Sequence, residues 1–156
     1  MKKFIVCMFV LFSTLYVCSQ TPLIHYRNMP WGCDKRAATC VIPGETLYVL
    51  DTWTWCIVNY TDKCQYTLRF TSDERLAEVE LSYTDADLAA LHGYLISINT
   101  HVFGLPEIPE MKTTDDRVPF AVLWTDVEGN TLHQYRLHDR VQMVFKSAVF
   151  LPYVQE

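Results

Sequence analysis

The stretch Tyr83–Val102 constrains the fold more than any other, because it is the one long segment with a helical rhythm. Leu88, Leu91, Leu95, Ile98 and Val102 recur at spacings of three, four, three and four, which places them on one stripe of a helix. Such a stripe needs a partner surface. The segments on either side read as short strands, so the expected partner is an antiparallel sheet. Thr84 is the expected N-cap, its hydroxyl accepting from the Asp87 N–H, and Asp85 and Asp87 put negative charge where the helix dipole favours it. Gly93 costs about 1 kcal/mol relative to Ala inside a helix, which points to a close backbone approach to the sheet or to a bend. Gly104 and Pro106 close the segment, with Asn99 or Gly104 as the C-cap. The helix is expected over Thr84–Asn99.

The chain begins with a different kind of signal. Lys2 and Lys3 precede an apolar run from Phe4 to Phe12, and Val17 and Ser19 stand at the small-residue positions of a cleavage site before Gln20. Residues 1–19 therefore read as a signal peptide of bacterial type and residues 20–156 as a single exported domain, secreted or periplasmic. The run is too short for a membrane span, and no later segment approaches eighteen consecutive apolar residues. The alternative is a lipobox, Leu15-Tyr16-Val17-Cys18, with a lipid on Cys18 holding the protein to a membrane. Tyr16 and Val17 stand where lipoboxes carry small residues, which weighs against it.

Loss of Lys2 and Lys3 with the leader takes the formal charge from −5 to −7. That balance argues against nucleic acid or an anionic membrane surface as partner. Of the six cysteines, Cys7 and Cys18 fall in the leader. The remaining four, Cys33, Cys40, Cys56 and Cys64, suit an oxidising compartment, with Cys33–Cys40 and Cys56–Cys64 the favoured disulfides. The second pair would face each other across two antiparallel strands. None of the spacings is that of a zinc knuckle.

Taken in order, Gln20–Gly44 is irregular, punctuated by Pro22, Pro30 and Pro43, and is expected to lie across the sheet or along its edge. Glu45–Val58 is rich in β-formers and bends at Asp51-Thr52 into two strands. Asn59–Lys63 is a turn. Gln65–Thr71 and Arg75–Tyr83 alternate cleanly. With Ser72 and Asp73 as a two-residue loop, Thr67 faces Glu78, Gln65 faces Glu80, and Arg69 lies diagonal to Glu78 on a wet face. After the helix, Phe103–Arg117 reads as a long loop carrying Pro106, Glu107, Pro109, Glu110, Lys112, Asp115 and Asp116. Loops of that length in a compact domain are usually functional or disordered. Val118–Asp126, Thr131–His138 and Val141–Leu151 form a C-terminal three-stranded meander, whose first turn, Asp126–Asn130, places Gly129 in the left-handed position.

These elements define an α+β fold: an antiparallel sheet of six or seven strands, built of hairpins and the meander, with one helix packed on a face. The residues resemble no known family. No nucleophile elbow, zinc-protease helix or phosphate-binding glycine loop is present. His133 and His138 are expected on opposite strand faces and His92 and His101 on opposite helix faces, so neither pair chelates one ion, and no cofactor is expected. Trp53 and Trp55 point one way and suit the core better than a binding platform, whereas Trp31, beside Pro30, is the better candidate for an exposed aromatic. Asn59-Tyr60-Thr61 fits the N-glycosylation pattern. The function these features suggest is a non-catalytic binding or inhibitor-type module for a protein or other extracellular ligand, engaged through the Phe103–Arg117 loop and Trp31. A small hydrolase without a recognisable motif is the alternative.

Overall fold

The computed structural model describes residues 23–41, 46–49, 54–59, 64–108 and 120–154. They form an α+β fold in which an antiparallel sheet carries one main helix. Five strands pack the core: β3 (Cys64–Phe70), β4 (Leu76–Tyr83), β5 (Phe120–Thr125), β6 (Thr131–Arg136) and β7 (Val141–Lys146), in the spatial order β3-β4-β7-β6-β5. At the β3 edge the sheet continues through β2 (Thr54–Asn59) to β1 (Thr46–Val49). The main helix, α2 (Leu88–Phe103), follows β4, and the shorter α1 (Lys35–Val41) precedes β1. Because β7 returns to pair with β4, α2 must cross over β7 and β6 to reach β5 at the far edge. That crossover puts the helix on the sheet.

One sheet face carries the core. Tyr66, Leu68, Val79, Leu81, Val122, Trp124, Leu132, Met143 and Phe145 alternate inward along their strands and are buried. Two covers close this face. One is α2, which contributes Leu95, Ile96 and Phe103. The other is the N-terminal segment, whose Ile24, Tyr26, Met29 and Ala38 are buried, with the Tyr26 ring 5.8 Å from that of Tyr66 and 5.7 Å from that of Phe145. Of the two placements the sequence left open, across the sheet or along its edge, the described part of the segment takes the first, and it is not irregular throughout. Asp34 caps α1 by accepting from the Ala37 N–H at 2.8 Å, a signal the proline spacing obscured.

Three details depart from the sequence reading. First, α2 starts and ends a turn later than expected. Asp87, not Thr84, is the N-cap, its Oδ1 accepting from the Ala90 N–H at 2.9 Å, while Gly104, one of the two C-caps the sequence offered, is the one taken, at φ 87°. Second, the β3–β4 turn is longer than two residues. Thr71 N–H donates to Arg75 O at 2.8 Å, Glu74 sits at φ 63°, and a bulge falls at Arg69/Phe70. The register consequently moves by two: Thr67 pairs with Glu80 and Gln65 with Ser82, and Arg69 stands directly opposite Glu78. Third, the cysteine pairing is not realised. Cys33 and Cys40 are free thiols, Cys64 is a buried thiol donating to Gln65 O at 3.8 Å, and the register sets Cys56 opposite Thr67 while Cys64 faces Asn59. Cys56 and Cys64 are therefore three rungs apart, beyond the reach of a disulfide. By contrast, Gly129 does take the left-handed position, at φ 82°.

Candidate functional site

The helix stripe that the spacing singled out is buried only in part: Leu88, Leu91 and Leu95 are half-buried, whereas Ile98 and Val102 are exposed. The residues of α2 that meet the sheet are His92, Leu95, Ile96, Asn99 and Phe103, a face rotated by about 80° from the mean direction of the five-residue stripe at 100° per residue. Its centre is polar. Gln134, fully buried on β6, reaches up from the sheet. Its Nε2 donates to His92 O at 3.0 Å and lies 3.0 Å from His92 Nδ1, and its Oε1 accepts from Asn99 Nδ2 at 3.0 Å. With Nε2 as the donor, His92 Nδ1 is the acceptor and the imidazole is neutral. Burial of the ring, and secondarily Arg136, hold its pKa below the ordinary histidine range.

The outside of α2 is correspondingly apolar. Tyr94 is 63% exposed, and Ile98 and Val102 one and two turns on are also open to solvent. No Asp, Glu, Lys or Arg occurs anywhere in Leu88–Phe103. Gly93 lies on this outer side, where an added Cβ would meet nothing within 4 Å, so it marks neither a close approach to the sheet nor crowding. Past the helix end, Leu105 and Ile108 are also exposed, at 89% and 70%.

What reads in the sequence as a long loop begins as sheet. Gly104 O accepts from Trp124 Nε1 at 2.9 Å, and Glu107 forms a two-bond bridge with Leu123, at 2.7 and 2.9 Å, on the outer edge of β5. Pro106 is half-buried and the Glu107 side chain is exposed beside that edge. Pro109, Glu110, Lys112, Asp115 and Asp116 lie outside the described residues.

Trp31 is half-buried rather than fully open. Its indole N–H donates to Ile24 O at 2.8 Å, and one side of the ring lines a hollow of about 390 Å³ shared with Phe150, Pro30, His25, Asn28 and Glu128. The hollow forms where the N-terminal segment, the β5–β6 turn and the chain after β7 converge. Asp126 holds that junction. Its carboxylate accepts from Ile24 N–H at 2.7 Å, from the N–H groups of Glu128 and Asn130 at 2.9 Å each, and from Asn130 Nδ2 at 3.0 Å. Nothing in the sequence marked Glu128 and Phe150 as neighbours of Trp31, since they are distant in the chain.

The second face of the sheet is not the simple wet surface that alternation suggested. Glu78 is only 4% exposed, with Arg69 Nε at 3.4 Å and Lys146 Nζ at 3.7 Å from its two oxygens. Burial outweighs both cations and leaves its pKa above the usual glutamate range. Glu80 accepts from Gln142 Nε2 at 2.6 Å, and the His133 ring stacks on Tyr135, whose hydroxyl is 3.1 Å from His133 Nδ1. Desolvation, then Lys146, lowers the His133 pKa. Trp55 pairs in register with Leu68, and Trp53, Tyr60 and Thr61 lie outside the described residues.

Among the described residues no group of three His, Cys, Asp or Glu side chains could hold a metal ion, and no helix is long and apolar enough to cross a membrane. No family model, curated protein or solved structure matches the chain.

Proposed function

We propose that the protein is an exported, non-catalytic binding module, of the inhibitor or accessory-recognition kind. It engages a partner protein through the outer face of α2 and the chain that leaves it at Gly104. One observation carries this reading: a sixteen-residue helix without a charged residue presents Tyr94, Ile98 and Val102 to solvent, and Leu105 and Ile108 past its end are also exposed. Exposed apolar area of this kind gains roughly 25 cal/mol per Å² when covered, and no Asp, Glu, Lys or Arg of the helix has to be desolvated against that gain. Contiguous apolar patches on soluble proteins mark interaction surfaces. The Lys2–Lys3 and Phe4–Phe12 leader supports export. Three groups that could serve as acid or base support the non-catalytic reading, because they are tied to packing: His92 to Gln134 under the helix, Glu78 to Arg69 and Lys146, and His133 to Tyr135.

The test uses the mature chain immobilised and exposed to the exported proteins of its host. The double variant Tyr94→Asp, Ile98→Asp is expected to lose the captured partner while its melting temperature stays within a few degrees of the wild type. Unchanged capture would sink the proposal, and deletion of Lys112–Asp116 separates a contribution from the following segment.

A further inference from the structure

A second surface has a definite chemistry. We propose that the hollow beside Trp31 receives a lysine or arginine side chain from a basic partner, its stem against Trp31 and Phe150 and its cationic head at Glu128. This rests on the reading of the protein as a binding module, and it uses a different surface from α2. At about 390 Å³ the hollow has room to admit a long side chain and is too small for a folded element. The Trp31 indole N–H is engaged by Ile24 O at 2.8 Å, so it is not a free donor for an occupant, and the ring contributes aromatic surface to the lining. Phe150 packs over Gly32, where φ is 75° and any Cβ would collide with the phenyl ring.

The electrostatics select the occupant. Glu128 is exposed at the mouth, and among the described residues its carboxylate has no ion-pair partner. Asp126, two residues before it, is buried, and its oxygens are met by four N–H donors and no cation. No lysine or arginine lines the hollow, its one basic lining residue being His25, whose Nδ1 accepts from the Asn28 N–H at 3.1 Å, and the chain carries −5 overall. An anionic group therefore meets repulsion. An aliphatic side chain meets only the walls. A cation meets an indole face and a carboxylate together, each of which attracts it.

Three blocked peptides, acetyl-Gly-Lys-Gly-amide and its norleucine and glutamate counterparts, titrated into the full-length mature protein, decide the matter. The reporter is the Trp31 indole N–H resonance, assigned with Trp31→Phe. The lysine peptide is expected to give saturable shifts and the other two none. Glu128→Gln, an exposed substitution that leaves the fold intact, is expected to weaken the lysine peptide roughly three- to tenfold. Norleucine binding equal to lysine, full affinity in Glu128→Gln, or no binding of any peptide overturns the proposal. Because the two surfaces are separate, lysine-peptide binding is expected to survive Tyr94→Asp, Ile98→Asp, and partner capture unchanged in that double variant overturns the α2 reading without touching this one.

Discussion

The two faces of α2 both mix polar and apolar groups. Inward it presents His92 and Asn99 to Gln134 alongside Leu95, Ile96 and Phe103; outward it presents Tyr94, Ile98 and Val102 to water. The inner face is tolerable because each buried polar group that Gln134 reaches has a partner at 3.0 Å, which removes the desolvation cost that an unpaired amide would carry. The outer face has no such compensation within the described chain. The contrast teaches that a hydrophobic period marks which residues share a helix face, not which face is buried. The polar centre of the inner face is paired with the sheet through Gln134, and the outer face carries the exposed apolar side chains on which the proposed recognition rests.

The largest expected effect comes from breaking the inner network. Gln134→Leu strands the Asn99 amide and removes both contacts to His92, and should cost on the order of 3 kcal/mol in urea denaturation. A loss under about 1 kcal/mol would mean that the network contributes little.

Next comes acidity. His92 titrates below its usual range when folded, so the unfolded chain binds more protons as the pH falls below about 6.5. The contribution is therefore present above that pH and lost as the pH drops below it. Glu78 acts with the opposite sign. Its raised folded pKa means that the native state takes up protons first, so its contribution grows as the pH falls through the window above about 4.5. Melting curves between pH 7.5 and 5 should show a decline that Glu78→Gln steepens; a stability flat in both proteins would contradict the assignment.

On the outer face the effects are smaller. Gly93→Ala should stabilise by about 0.5–1 kcal/mol, because the added methyl meets open space and the helix loses a flexible residue. A destabilisation would place something against Gly93. Tyr94→Ser should change stability by less than about 0.5 kcal/mol, as measured by denaturant midpoint.

Much of the frame was legible in the sequence. Alternation in Gln65–Phe70 and Leu76–Tyr83, the Gly129 turn and the meander all follow from period-two patterning and turn chemistry, which are local. The α2 face was not, because its orientation is decided by Gln134, more than thirty residues away in the chain. The burial of Glu78 was missed for a related reason. A glutamate on an alternating strand reads as wet, and only the two-residue register shift brings Arg69 directly opposite it. The disulfide expectation failed on the same point: two cysteines bracketing a short turn look paired until the register sets Cys56 three rungs from Cys64. In the candidate sites, Trp31 was visible as an unusual aromatic, but Glu128 and Phe150 come to it only through the fold.

The orientation of α2 is tested most directly by two neighbouring residues. Denaturation of Asn99→Ile and Ile98→Asn, measured side by side, compares an apolar group placed in the buried network with a polar group placed outside. Asn99→Ile is expected to lose on the order of 2 kcal/mol, because Gln134 Oε1 is left without its donor, and Ile98→Asn less than about 1 kcal/mol. The opposite ranking, with Ile98→Asn the more damaging, would mean that the apolar stripe faces the sheet after all.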